Sequence, residues 1–457
     1  MRGRFGLCLL LALTTLAAAV PSLVLAQYVT FPGDYRTLLP SRPSGAHAPG
    51  ANGNSFSPTI SEDAKWIGFV SVARNLGAAP NRSEVFAREV EANRTVLVSR
   101  ADGKDGEKAS GNSSAPAMSG SGMKVAFAST ADNLGVRSGV QSIYLRDLKD
   151  GSTTLISRAD GKHGAPADAG SFTPAIDQTA SHVVFASAAS NLPGAVPGVT
   201  QIYERDLASN RTMLVSKADD GSPGNGDSSN PQIAAGGGAI VFQSAATNLG
   251  APAGSGTQIY ERHIDSGSTI LVSTSAAGKP ANAEAITPSV DGDGGKVAFA
   301  SRATNLFPEA NPVQNIFVKE LSSGAILLNS RNLGNQHGQK IENGEPANGD
   351  SFDPSFPRDG NFVCFSSVAT NLGNKYDGFG VDTEIENVYV HSMRNRSTFL
   401  ISRTSGRYGR GANGDSSHVA CSAGASLATY QSMATNLSSA AVHGVSSIYR
   451  RTIFGGH

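Results

Sequence analysis

Tryptophan occurs once and cysteine three times in 457 residues, so no disulfide lattice holds this chain together. A chain of this length buries enough apolar surface to form a core without one. Charge of either sign is not in excess. Lys and Arg total 37 against 37 Asp and Glu, and charged residues make up only 16% of the chain. That balance gives no basic surface to attract a nucleic-acid backbone, and no nucleic-acid partner is expected. Beyond residue 26 no apolar run is long enough to span a membrane, and no stretch keeps a 3.6-residue period. Gly-x-Ser-x-Gly, His-Glu-x-x-His and Cys-x-x-Cys are all missing, which removes the usual signatures of serine hydrolases and zinc sites. What the chain has is glycine, 52 residues of it, and 39% hydrophobic residues. That is too apolar for global disorder and suits many short strands joined by tight turns.

The N-terminus carries Arg2 and Arg4, an apolar run centred on Leu7 to Val20, and Val24-Leu-Ala26. This is the pattern of a secretory signal, with cleavage expected between Ala26 and Gln27. The expectation is a signal peptide over 1–26 and one domain over 27–457, secreted or periplasmic. Only Cys364 and Cys421 then remain; both lie in strand-like segments and either pair or stay as buried thiols.

One ten-residue segment, Val125-Ala-Phe-Ala-Ser-Thr-Ala-Asp-Asn-Leu134, recurs seven times. Its aromatic anchors are Phe69, Phe127, Phe185, Phe242, Phe299, Phe365 and Tyr430, spaced 58, 58, 57, 57, 66 and 65 apart. Ser follows each anchor at +2, Ala at +4, Asn at +6 and Leu at +7. Three further pieces accompany it: a leading Pro-x-apolar piece such as Pro174-Ala-Ile176, a third such as Ile202-Tyr-Glu-Arg205, and a fourth such as Leu214-Val-Ser216. All are short, β-branched or aromatic, and bounded by Gly, Asp, Asn or Ser, so they read as strands. Four antiparallel strands at this spacing make a propeller blade, which needs neighbours on both faces. The seventh leading piece is the degenerate Val419-Ala-Cys421. The fourth piece occurs only six times in the body, and Arg36-Thr-Leu-Leu-Pro-Ser-Arg42 supplies the seventh. The fold expected is all-β: a seven-bladed β-propeller of four-stranded antiparallel blades, closed by an N-terminal outer strand joining the C-terminal blade.

The recurring Asn75, Asn133, Asn191, Asn248, Asn305, Asn371 and Asn436 are expected to be structural, each bonding nearby backbone where the chain turns and tolerating left-handed geometry. Seven similar positions do not make one active site. The third-strand cations Arg88, Arg146, Arg205, Arg262 and Lys319 read as a solvated edge or as partners of nearby acids.

The unit Ser171-Phe-Thr-Pro174-Ala-Ile, Val184-Phe-Ala-Ser187-Ala-Ala-Ser-Asn-Leu192 and Ile202-Tyr-Glu-Arg-Asp206 resembles the WD40-like (PD40) β-propeller repeats of the TolB-like family. The resemblance covers residues 36–451. It implies the propeller fold and, for that family, roles as protein-binding scaffolds, exported proteins and accessory domains of peptidases. TolB adds an N-terminal α/β domain, for which residues 27–35 leave no room, so the resemblance is to the propeller portion only.

For chemistry, Ser119-Gly-Ser-Gly122 has the wrong spacing for a nucleophile elbow, Trp66 suits core or rim packing, and the nine histidines are scattered. Two connections are enlarged, Ser330 to Pro354 and Leu372 to Tyr389, and both belong to the sixth blade. The second contains Tyr376, Asp377, Phe379, Asp382, Glu384 and Glu386, which form the candidate binding rim; a tolerated surface insertion is the alternative. No cofactor is expected, and a structural calcium in that loop, or at Asp291 and Asp293, is what the available oxygens would allow. The functional expectation is a monomeric exported scaffold binding a protein, peptide or glycan. The alternative is a hydrolase or lyase acting on extracellular polysaccharide or peptide.

Overall fold

The computed structural model describes residues 35–136, 139–332, 335–336, 339–340, 344–372, 385–406 and 409–453. Seven four-stranded antiparallel sheets make up a β-propeller. Six blades are continuous in the chain, over 55–97, 113–155, 171–214, 228–271, 285–328 and 351–400. The seventh combines Ser416–Cys421, Leu427–Ser432 and Ser447–Thr452 with the N-terminal strand Thr37–Leu38, which pairs with Arg451 and Arg450. The ring is therefore closed by backbone hydrogen bonds between the two ends of the described chain, and the closing sheet leaves no unpaired strand at the junction. A two-stranded hairpin, Asn335–Gln336 with Gln339–Lys340, lies in the long connection before blade 6.

Each repeated residue has a physical reason. In every blade the anchor aromatic faces an aromatic of the third strand, as Phe185 faces Tyr203, with ring centroids 5.8–6.0 Å apart. These seven buried stacks are the centres of the blades. The serine at +2 caps the following turn: its hydroxyl accepts the N–H of the alanine at +4, as in Ala189 to Ser187 at 3.2 Å. In six blades it also bonds a first-strand serine, as Ser171 to Ser187 at 3.0 Å. Blade 5 has Ala285 there instead, and Ser301 turns to the Glu284 carbonyl at 2.7 Å.

The seven asparagines join the second strand to the segment that leads into the same blade. Asn248 Oδ1 accepts the Asn225 N–H at 3.0 Å, and its Nδ2 donates to the Pro223 carbonyl at 2.9 Å. The other six make the same pair of bonds. The partner backbone lies 23 and 25 residues upstream rather than in the local turn, and none of the seven has a positive φ.

The third-strand cations differ from the reading as an exposed edge. Arg88, Arg146, Arg205, Arg262, Lys319 and Arg451 are all buried. Arg205 donates to the Ala159 and Gly161 carbonyls at 3.1 and 2.9 Å and to the Thr212 hydroxyl at 3.0 Å. Each guanidinium whose carbonyl partners are shown latches a blade to the connection arriving from the blade before it. In the closing blade the threonine of the latch is Thr37, 2.8 Å from Arg451, so the N-terminal strand supplies the side chain as well as the hydrogen bonds.

The described cysteines are bonded. Cys364, on the second strand of blade 6, pairs with Cys421, on the first strand of blade 7, with Cα atoms 6.5 Å apart. At regular seams this place is filled by a small residue packed against the next blade's apolar side chain, as Gly68 is against Met118. Cys421 stands where Met118, Ile176 or Phe356 would be, so the disulfide replaces a missing apolar plug.

Candidate functional site

The first strands of all seven blades line a central cavity of about 580 Å³. Each of these strands is bulged. The register slips between Phe172 and Ala175, and the first of the two residues inside the slip, Thr173, has φ +43°. The same left-handed residue recurs as Ser57, Ala115, Asn230, Thr287, Asp353 and His418. A non-glycine residue there costs roughly 1–2 kcal/mol, so the ring of bulges is held by its surroundings. Proline follows it in six blades because the bulge needs no ladder N–H at that point. Gln431 Oε1 accepts the Ser57 N–H at 3.3 Å and Gln243 Oε1 the Thr287 N–H at 2.8 Å, so glutamines of the preceding blades support two of the seven.

The two ends of the cavity differ. At the end formed by the turns between first and second strands, successive blades are linked by backbone bonds such as Glu62 N–H to Gly120 O at 3.0 Å and Gly120 N–H to Gln178 O at 2.9 Å. Side chains cross this opening. Arg358 of blade 6 ion-pairs with Glu62 of blade 1, and Gln178 of blade 3 donates to the same carboxylate at 2.8 Å. Gly120 leaves the space for this stopper: a Cβ there would lie 2.8 Å from Gln178 and 2.9 Å from Glu62. Burial lowers the Arg358 pKa, and the Glu62 carboxylate opposes that shift.

The opposite mouth is ringed by the left-handed residues, and here the repeat breaks. Five of the seven positions carry Ser, Ala, Thr, Asn and Thr; blades 6 and 7 carry Asp353 and His418, whose Oδ2 and Nε2 lie 3.8 Å apart. His418 Nδ1 is 3.1 Å from the Ser417 hydroxyl, which also accepts from Gln431 at 3.1 Å. Glu386 borders the same seam: its carbonyl accepts the Ser416 N–H at 2.8 Å and its own N–H bonds Asp415 at 3.0 Å. Burial holds the Glu386 carboxyl above the usual carboxylate range; Asp353 and Asp415 add to the shift, while the Ser366 hydroxyl and His418 oppose it. An exposed acid and imidazole with a half-buried carboxyl beside them can accept hydrogen bonds, hold a cationic group, or exchange a proton with a bound molecule.

Of the expected rim, Tyr376, Asp377, Phe379, Asp382 and Glu384 lie outside the described residues, and Glu386 alone is placed, at the seam with blade 7. Asp353 and His418 were not singled out by sequence reasoning. The signal was present: aligning the residue before each first-strand proline, and its counterpart in blade 7, shows an ionisable side chain in two places only. Asp291, one of the two acids considered for calcium, accepts the Gly295 and Lys296 N–H groups through Oδ1 at 2.9 and 3.2 Å and closes its own turn. Among the described residues no three His, Cys, Asp or Glu side chains converge as metal ligands, and no helix is long and apolar enough to cross a membrane.

No family model and no curated protein matches the chain. Solved structures do match. The chain is a propeller with TolB among its structural neighbours. TolB from Acinetobacter baumannii is 14% identical with a TM-score of 0.41, over 78% of this chain and 65% of that one. An oligogalacturonate lyase in complex with manganese is 10% identical with a TM-score of 0.53, over 92% of this chain and 98% of that one. The propeller domain of the trilobed protease from Pyrococcus furiosus, of open velcro topology, is 12% identical with a TM-score of 0.51, over 88% and 94%. At these identities the fold is what is shared.

Proposed function

We propose that this chain is an exported binding module that takes a peptide or glycan at the open channel mouth, against blades 6 and 7. The observation that carries this reading is the Asp353–His418 pair, the one charged sector of a ring otherwise lined by small or neutral polar residues. Repeat residues explain the fold in every blade; these two explain none of it. The stopper at Glu62, Arg358 and Gln178 means that a ligand enters and leaves by the same mouth. The signal-like N-terminus and a disulfide joining Cys364 and Cys421 both support an oxidising compartment outside the cytosol.

The test is to probe peptide and glycan arrays with the purified protein and with Asp353→Asn and His418→Ala. Binders whose affinity falls at least tenfold in both variants are expected. A set of binders indifferent to both, or no binder at all, would contradict the reading.

A second reading rests on the same sector. Glu386, its carboxyl pushed above the usual carboxylate range by burial, stands beside an exposed histidine in the arrangement of an acid–base pair, so a hydrolase or lyase acting on polysaccharide or peptide is the alternative. Substrate turnover that is abolished by His418→Ala would move the assignment there.

A further inference from the structure

The mouth is bordered by a second irregularity that the channel reading does not use. In blades 2 to 5 the first residue after the second strand is Thr130, Ala188, Ala245 or Arg302. In blades 6, 7 and 1, which are consecutive around the closed ring, it is Val368, Met433 and Val72, exposed by 43%, 42% and 38%. The backbone N–H of each bonds the carbonyl of the residue that precedes the first strand of its own blade: Val368 to Asp350 at 3.0 Å, Met433 to Asp415 at 2.9 Å, Val72 to Asn54 at 3.0 Å. Val368, Met433 and Val72 therefore alternate along one arc with Asp350, Asp415 and Asn54.

The charges on this arc are unequal. Asp350 is ion-paired with Arg302 of the blade before it. The blade 6 residue corresponding to Arg302 is Val368, so Asp415 has a valine where Asp350 has a guanidinium. Asp415 is exposed, and among the described residues no cationic side chain pairs with it. Its Oδ1 accepts the Glu386 N–H, which leaves acceptor capacity on the carboxylate. Glu386 and Asp353 lie in the same sector, with His418 as the basic side chain placed there among the described residues.

An uncompensated carboxylate between two exposed apolar side chains is complementary to a cation flanked by apolar groups. We infer that the arc Val368–Asp415–Met433–Val72 docks a protein partner through a segment bearing a lysine or arginine between apolar side chains. This rests on the channel-mouth reading for its location, since the arc borders that mouth, and it adds the class of partner. The apolar contacts supply affinity; Asp415 supplies the preference for a basic residue and makes binding weaken with salt.

Phage display of random twelve-residue peptides on the purified protein tests the inference. Enrichment of Lys or Arg next to Leu, Ile, Met or Phe is expected. A synthetic peptide made from the enriched sequence should lose about tenfold or more in affinity to Met433→Glu. It should lose less to Asp415→Lys, and a Glu in place of the peptide cation should restore binding to Asp415→Lys. Both variants change exposed side chains, and unchanged thermal midpoints will show that they fold. Peptides without a basic residue, no enrichment, or affinities unchanged in both variants would overturn the inference. Loss in Met433→Glu without loss in Asp353→Asn or His418→Ala keeps the arc and removes the channel site. The reverse pattern keeps the channel site and removes the arc.

Discussion

The seam between blades 2 and 3 and the seam between blades 6 and 7 perform the same structural task with different residues. At the first, Arg205 is latched to the Ala159 and Gly161 carbonyls, and Ala126 shares one apolar cluster with Ile176. One seam earlier, between blades 5 and 6, the latch position is His391, buried and bonded to Thr398 at 2.9 Å, with its pKa lowered to about 3 by burial and the nearby Arg331. Between blades 6 and 7 the latch is kept, Arg451 donating to the Thr404 and Gly406 carbonyls at 2.7 and 2.9 Å. The apolar plug beyond it is replaced by the Cys364–Cys421 bond. The connections enlarged in the sequence also belong to blade 6, and Asp353 and His418 face each other across its seam with blade 7. A repeat can lose its consensus only where something else holds the ring. The covalent bond does that here, and the residues released from the repeat are the ones with chemistry to offer.

The largest expected effect sharpens this contrast at a blade centre. Phe185→Ala removes one half of a buried stack and should cost about 3–5 kcal/mol, seen as a large drop in thermal midpoint. The latches come next. Arg205→Ala leaves two carbonyls and the Thr212 hydroxyl short of a donor and should cost about 2–4 kcal/mol, whereas His391→Ala, with one bond at stake, should cost about 1–2 kcal/mol in urea unfolding. Equal losses would mean that the seam between blades 5 and 6 is held as the one between blades 2 and 3 is. Reduction, or the double change Cys364→Ala and Cys421→Ala, should cost about 2–4 kcal/mol. No response of the wild-type protein to reductant would remove the explanation given for the relaxed seam.

A third region gives a pH-dependent test. Glu261 sits where other blades carry Leu145, Val318 or Val390; it is fully buried, neither carboxyl oxygen has a hydrogen-bond partner, and the nearest basic group, His263 Nε2, is 3.4 Å from Oε1. Burial, with Asp291 adding to it, raises its pKa to about 8. The folded chain then keeps a proton that the unfolded chain releases above 4.5. Stability contributed by this group is lost as pH rises from 4.5 toward 8, and is flat beyond. Glu261→Gln should therefore stabilise the protein by on the order of 3 kcal/mol near neutral pH and by little near pH 5. A constant difference in urea midpoint across that range would contradict the assignment. The smallest expected effect is at the joints within blades: Asn248→Ala should cost about 1–2 kcal/mol for its two bonds.

The architecture was legible because each blade restates the same physics. Six copies of Phe-x-Ser-x-Ala-x-Asn-Leu and a seventh that begins with Tyr430, with one outer strand missing at one end and present at the other, specify both the ring and its closure by Thr37–Leu38. The arginine latches were visible as a column but not as buried groups, since their partners are carbonyls of the preceding connection and carry no side-chain signature. The disulfide was left open because only the ring places Cys364 and Cys421 on facing strands of neighbouring blades. Asp353 and His418 were obscured for a related reason: they lie 65 residues apart and meet only across a seam, and their shared backbone conformation is not written in residue type.

The central claim is that consensus positions carry the fold and the exceptions at blades 6 and 7 carry the function. His418 and Asn230 occupy the same left-handed position in two blades, one an imidazole and one an amide. The most direct test is the affinity of the tightest array-selected peptide or glycan for the wild-type protein, His418→Ala and Asn230→Ala. The account predicts at least a tenfold loss for His418→Ala and less than a twofold change for Asn230→Ala. Equal losses, or a larger loss for Asn230→Ala, would place binding on the ring as a whole and contradict it.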